Sequence, residues 1–134
     1  MVNKMKIIIV HILLAIILLS GCQPKKVNEP QKYIKIGKAK VTFIELGSVN
    51  CIPCKAMQPV MQSLEKKYGD QLQVIFYDVW TKEQKQFAYK YKVNLIPTQV
   101  FLDKEGKEFF RHEGFFAEAE IDKILNQRGL KKLN

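Results

Sequence analysis

"GSVNCIPCKAMQPVM", residues 47–61, sets two cysteines, Cys51 and Cys54, at the start of a segment that reads as a helix. From there Cys54, Met57, Met61, Leu64 and Tyr68 recur at intervals of three and four, which is one helical face. Gly47-Ser48 breaks the chain ahead of it and Gly69-Asp70 ends it. Pro53 falls in the first turn, where its missing N–H has no intrahelical partner to lose, and it stiffens the loop. Pro59 lies inside the helix, removes a backbone hydrogen bond and crowds the carbonyl of Lys55, so a bend is expected soon after the cysteines.

The rest of the chain alternates strand and helix around this segment. Val41–Leu46 (VTFIEL) is rich in β-branched and aromatic residues, and QLQVIFYDV gives a second buried strand ending near Val79. Thr81 is placed to cap a helix through TKEQKQFAYKYK, with Phe87 and Tyr91 on one side. TQVFL is a strand, Asp103–Gly106 a turn, and KEFFRHEG the returning strand of a hairpin. A last helix spans AEAEIDKILNQRG, with Ile121, Ile124 and Leu125 at helical spacing. The predicted order is strand, helix, strand, helix, strand, strand, helix.

A Cys-x-x-Cys pair can clip a metal, crosslink the chain or exchange electrons, and the compartment helps to decide. The chain opens MVNKMK and continues with 13 residues, Ile7–Leu19, whose only interruption is His11. A membrane span needs about 20 apolar residues, whereas a secretory signal has a basic start and an apolar core of about 7 to 15. Leu19-Ser20-Gly21-Cys22 then resembles the bacterial lipobox, in which the cysteine is acylated and the preceding segment removed. The expectation is a lipoprotein signal peptide at 1–21, a lipidated Cys22 and tether at 22–36, and one domain at 37–134. The alternative, an uncleaved anchor with an incidental cysteine, leaves the domain on the same outer side of the membrane.

Loss of residues 1–21, with Lys4 and Lys6 but no acidic residue, lowers the formal charge from +9 to +7 and leaves 113 residues, enough for one core. The lysines lie in scattered pairs without aromatic interleaving, which argues against a nucleic-acid partner and for attraction to anionic lipid headgroups or plain solubility. The segment QPKKVNEPQK, with two prolines and one apolar residue, builds no core and reads as the tether, reaching at most about 35 Å.

A zinc site needs four ligands, and with Cys22 committed to lipid the soft donors are Cys51, Cys54 and the distant His112. A permanent crosslink between residues three apart constrains almost no loop. Redox exchange remains. At a helix N-terminus Cys51 meets unpaired N–H groups and the positive end of the dipole, which favour the attacking thiolate. Cys54 lies one turn inward, placed to resolve a mixed disulfide. Glu45 shares a strand face with Val41 and Phe43, so its carboxylate points into an apolar layer and its pKa should be raised. The other outcome is a strand-edge carboxylate that reaches solvent.

Order and motifs together resemble the thioredoxin family over about residues 37–128. Cys51-Ile52-Pro53-Cys54 followed by Lys55 matches the family's active site, Pro59 its helix-kinking proline, and Ile96-Pro97-Thr98 its cis-proline loop. Gly106 and Gly114 match its hairpin glycine and the glycine after it. The resemblance implies an α/β fold with a central mixed β-sheet flanked by helices, and a redox-active Cys51–Cys54 disulfide without a cofactor. It also implies a proton acceptor for Cys54 at Glu45 and a loop at Pro97 that packs against Cys51. Client contact is expected at Ile52, Pro53 and Ile96, where the backbone before the proline pairs with an extended segment.

Two departures stand out: Asn50 precedes the first cysteine where relatives carry Trp, and Gly47 replaces a second aromatic, while Trp80 sits at a strand end. The expected activity is an extracytoplasmic, lipid-anchored protein-disulfide reductase. Its partners would be disulfide-bearing protein clients and a membrane thiol relay as electron donor. An oxidase or isomerase of the same fold, and a non-catalytic binding module, are the alternatives. His112 is expected on the hairpin surface, and Phe109, Phe110, Phe115 and Phe116 in core and edge packing.

Overall fold

The computed structural model describes residues 39–133, so the expected signal peptide, Cys22 and tether lie outside the described residues. Its elements run β1 (Val41–Gly47), α1 (Ile52–Tyr68), β2 (Leu72–Asp78), α2 (Lys85–Lys90), β3 (Thr98–Asp103), β4 (Glu108–Glu113) and α3 (Glu118–Gln127). Sheet order is β2-β1-β3-β4, with β1 parallel to β2 and antiparallel to β3, and β3 antiparallel to β4. The sheet is mixed because α1 carries the chain back between the parallel strands while the last two form a hairpin.

β1 is central and buried on both faces, which is why VTFIEL is nearly continuous in apolar residues. Val41 and Phe43 pack with Met57, Met61 and Leu64 of α1 and Ile121 and Leu125 of α3. Ile44 and Leu46 pack on the other face with Tyr77, Val100 and the Phe87 side of α2. Helices α1 and α3 therefore cover one face and α2 the other. Phe43 and Phe101 face each other in register, their rings stacked 4.8 Å apart. Phe116 is buried in that core, Phe109 and Phe110 pack against it, and Phe115 is half exposed.

α1 and α3 are also joined by polar contacts at the far end of α1. Asp122 accepts from the Tyr68 hydroxyl at 2.9 Å and from Lys67 and Lys132, each at 2.9 Å, and Lys67 also pairs with Glu118. α1 ends at Gly69, whose φ of +52° suits glycine and whose added Cβ would meet Leu133 Cδ1 at 2.7 Å. A short 3₁₀ turn, Gly69–Gln71, follows, a feature the periodicity does not announce.

α2 is shorter than the sequence predicts. Thr81 to Gln84 form turns, because Gln84 Oε1 accepts from the Asp78 N–H at 2.7 Å and Thr81 Oγ1 donates to the Asp78 carbonyl at 2.8 Å. These contacts hold the segment to the end of β2. Thr81 Oγ1 still accepts from the Gln84 N–H at 3.3 Å, but it closes a turn rather than starting the helix.

Candidate active site

At the end of β1 the chain turns through Ser48. Its Oγ accepts from the Asn50 N–H at 3.2 Å and its carbonyl from the Cys51 N–H at 3.2 Å. Cys51 then caps α1 from an extended conformation, φ −98° and ψ 125°, and its Sγ accepts from the Cys54 N–H at 3.4 Å. The sulfur occupies the position of an N-cap oxygen, facing the otherwise unpaired donors of the first turn. Pro53 sits in that turn as predicted, and α1 runs through Pro59 to Tyr68.

Cys51 and Cys54 are joined in a disulfide, with their Cα atoms 5.2 Å apart. The two cysteines are not equivalent: both are buried, but Cys51 keeps 8% exposure and Cys54 none. Ile52, 82% exposed, and Pro53 flank the more exposed cysteine at the protein surface. Cys54 packs onto β1 instead, where an added Cβ on Gly47 would stand 3.1 Å from both its Cβ and its Sγ. The absent aromatic at position 47 is thus space taken by the resolving cysteine.

Glu45 lies one two-residue step, about 6.6 Å, back along the same face of β1 as Gly47. It is 0% exposed, so its carboxyl does not reach solvent at a strand edge. Oε2 accepts from Gln99 Nε2 at 3.0 Å, and Oε1 has no hydrogen-bond partner. Burial pushes the Glu45 pKa up to about 8, and the Gln99 hydrogen bond offsets only part of that rise.

The register Leu46↔Thr98 brings the start of β3 to the end of β1, so Pro97 arrives opposite Gly47. The Ile96–Pro97 peptide is cis, Pro97 is buried and Ile96 half-buried. The Pro97 carbonyl accepts from the Gly114 N–H at 2.7 Å. His112 is half-buried rather than on the open surface, its ring stacked 4.1 Å from Phe116. Among the described residues no three His, Cys, Asp or Glu side chains gather as a metal site.

Sequence reasoning misses two contributors. Gln99 is one, because only the β1–β3 register places it opposite Glu45. Asp78 is the other: its carboxylate accepts from the Val49 N–H at 3.2 Å and the Trp80 N–H at 3.1 Å. Trp80, 62% exposed, therefore stands at the loop that leads into Cys51. The aspartate ahead of Val79-Trp80 is the signal that could have linked them, since aspartate commonly binds backbone N–H groups two residues on.

Residues 27–129 match the family model described as a thioredoxin-like domain. The chain is 30% identical over 102 residues to Thioredoxin-1 of Drosophila melanogaster, covering 76% of this chain and 89% of that protein. It is 32% identical over 75 residues to the chloroplastic Thioredoxin Y of Oryza sativa, covering 56% of this chain and spanning 43% of that protein's length. Among solved structures, the germline-specific thioredoxin Deadhead of Drosophila melanogaster superposes with a TM-score of 0.59 at 25% identity, covering 69% of this chain and 83% of that one. With a disulfide at the family's active-site position and a mixed sheet carrying it, this chain belongs to the thioredoxin family of thiol–disulfide oxidoreductases.

Proposed function

We propose that this chain reduces disulfides of exported proteins, for example apocytochrome-type clients, from the outer side of a bacterial membrane, where lipid on Cys22 anchors it. The observation that carries the reading is the asymmetry of the pair: a more exposed Cys51 at a helix N-terminus beside an enclosed Cys54.

The Cys51 thiolate attacks one sulfur of a client disulfide. The client S–S bond breaks, a mixed disulfide forms, and the first client sulfur leaves as a thiolate. Glu45, as carboxylate, takes the proton of Cys54. The Cys54 thiolate then attacks Cys51 Sγ, expels the second client thiolate and leaves the Cys51–Cys54 disulfide. Two electrons pass to the client, and a membrane thiol relay restores the dithiol. Ile52, Pro53 and Ile96 contact the client beside the bond under attack.

A proline just before the second cysteine and a buried acid resemble reducing members of the family. The reduction potential tests direction: near about −270 mV supports a reductase, near about −120 mV an oxidase. Insulin reduction by wild type and Cys51→Ser tests catalysis, since a binding module has no cysteine-dependent turnover. The intact mass of the protein from membrane fractions tests the anchor, and a mature chain still beginning at Met1 would overturn it.

A further inference from the structure

Glu45 and Gln99 form a directly opposed pair between β1 and β3, and both are 0% exposed. Around Glu45 itself the cover from β2 and α1 is largely apolar. Phe76 of β2 stands on the far side of Glu45 in register, and Met57 and Cys54 of α1 share the layer above. The titratable groups on this face are Cys54, Asp78 of β2 opposite Gly47, Asp103 of β3 opposite Val41, His112 one strand beyond Gln99, and the Tyr68, Asp122, Lys67 and Glu118 group at the far end of α1. Burial is the larger influence on Glu45 and raises its pKa, and the Gln99 hydrogen bond lowers it.

The orientation of the Gln99 amide is fixed by its second contact. Nε2 donates to Glu45 Oε2 at 3.0 Å and to the Gly114 carbonyl at 3.0 Å. A backbone carbonyl accepts only, so a flipped amide would set oxygen against oxygen. Gly114 is itself held, its N–H on the Pro97 carbonyl at 2.7 Å. Gln99 must therefore present a donor to Glu45 whether or not the carboxyl carries a proton. A one-sided donor of this kind favours the carboxylate.

We propose that Gln99 is a positioning residue for proton transfer at Cys54: anchored through Gly114 to the cis-proline loop, it holds Glu45 in place and keeps its carboxylate form accessible. The inference rests on the proton-acceptor role proposed for Glu45, and it names the group that makes that role workable in an apolar layer. Without Gln99 the carboxyl would have no hydrogen-bond donor, and its proton would be harder to remove.

The test is the titration of Glu45 in the oxidised full-length protein, where the cysteines do not titrate, followed by carbon-13 NMR of the side-chain carboxyls and assigned with Glu45→Gln. Gln99→Leu and the more pliant Gln99→Met are expected to raise the Glu45 midpoint by about one pH unit or more, the effect of losing a hydrogen bond to a charged group. Resolution of the mixed disulfide should move to higher pH by the same amount, while Cys51 attack keeps its pH profile. An unchanged midpoint in a folded variant overturns the inference. A raised midpoint with an unmoved resolution profile keeps the hold of Gln99 on Glu45 and overturns the proton-acceptor reading instead.

Discussion

Gly47 lies directly against Cys54: an added Cβ would stand 3.1 Å from the cysteine's Cβ and Sγ and 3.4 Å from Phe76 Cε2, so Cys54 would have to give by a few tenths of an ångström. The second cysteine is thereby packed onto the central strand, and the first turn of α1 is set against β1. Gly47→Ala should push the first turn of α1 outward. Overpacking of this size costs about 1–3 kcal/mol, read as a lower urea midpoint at unchanged slope. Resolution should slow more than attack, because Cys54 is the residue displaced while Cys51 is not among the nearest neighbours of the added methyl group. Equal stability and rates would mean that α1 adjusts freely.

Cys54→Ser should trap clients as mixed disulfides, whereas Cys51→Ser should trap none. Among the described residues Cys51 is the more exposed cysteine and sits at the helix N-terminus, and removing Cys54 takes away the thiol placed beside it to expel the client. Trapped species appear on non-reducing gels as higher bands that vanish with reductant, and mass spectrometry identifies the clients. The same bands from Cys51→Ser would mean that the roles are reversed.

The cysteine turn was legible because its determinants are local: two cysteines, a first-turn proline and a heptad-like apolar face fix α1 with no knowledge of the rest. The position of Glu45 was also legible, since a period of two places it with Val41 and Phe43. What surrounds Glu45 was not. Gln99 reads as an ordinary polar residue in TQVFL until the pairing Glu45↔Gln99 is known, and pairing across 54 residues leaves no local trace. The sequence reads α2 as longer than it is for a related reason, because Gln84 favours a helix by propensity but is diverted to the Asp78 N–H. His112 reads as a hairpin-surface residue, since nothing local predicts the Phe116 ring that stacks on it.

Asp78→Ala should loosen the loop before Cys51. The carboxylate holds the Val49 and Trp80 amides together, so its loss frees residues 48–50 and the end of β2 at once. Trp80 is the single tryptophan, and its fluorescence anisotropy should fall in the variant. Stability should fall by about 1 kcal/mol, the scale of hydrogen bonds that water can partly replace. An unchanged anisotropy would show that the Asp78 contacts do not restrain Trp80.

The pH dependence of stability should carry the mark of Glu45. In the unfolded chain this carboxyl titrates near its ordinary value of 4.5, and in the folded protein burial pushes it up to about 8. Between these values the folded state holds a proton that the unfolded state has released, so the associated stability is complete below about pH 4.5 and is lost as pH rises toward 8. The limiting slope for one group is about 1.4 kcal/mol per pH unit. Asp122, Glu108 and Glu118 have lowered values and act the other way, their contributions fading only in acid below this window. Glu45→Gln keeps the shape of the side chain and removes the titration, so urea unfolding of the oxidised variant from pH 5 to 8.5 should lose this decline. The variant should overtake wild type at the alkaline end. Parallel curves for the two proteins would mean that Glu45 ionises as it does in water and that its burial does not hold the proton.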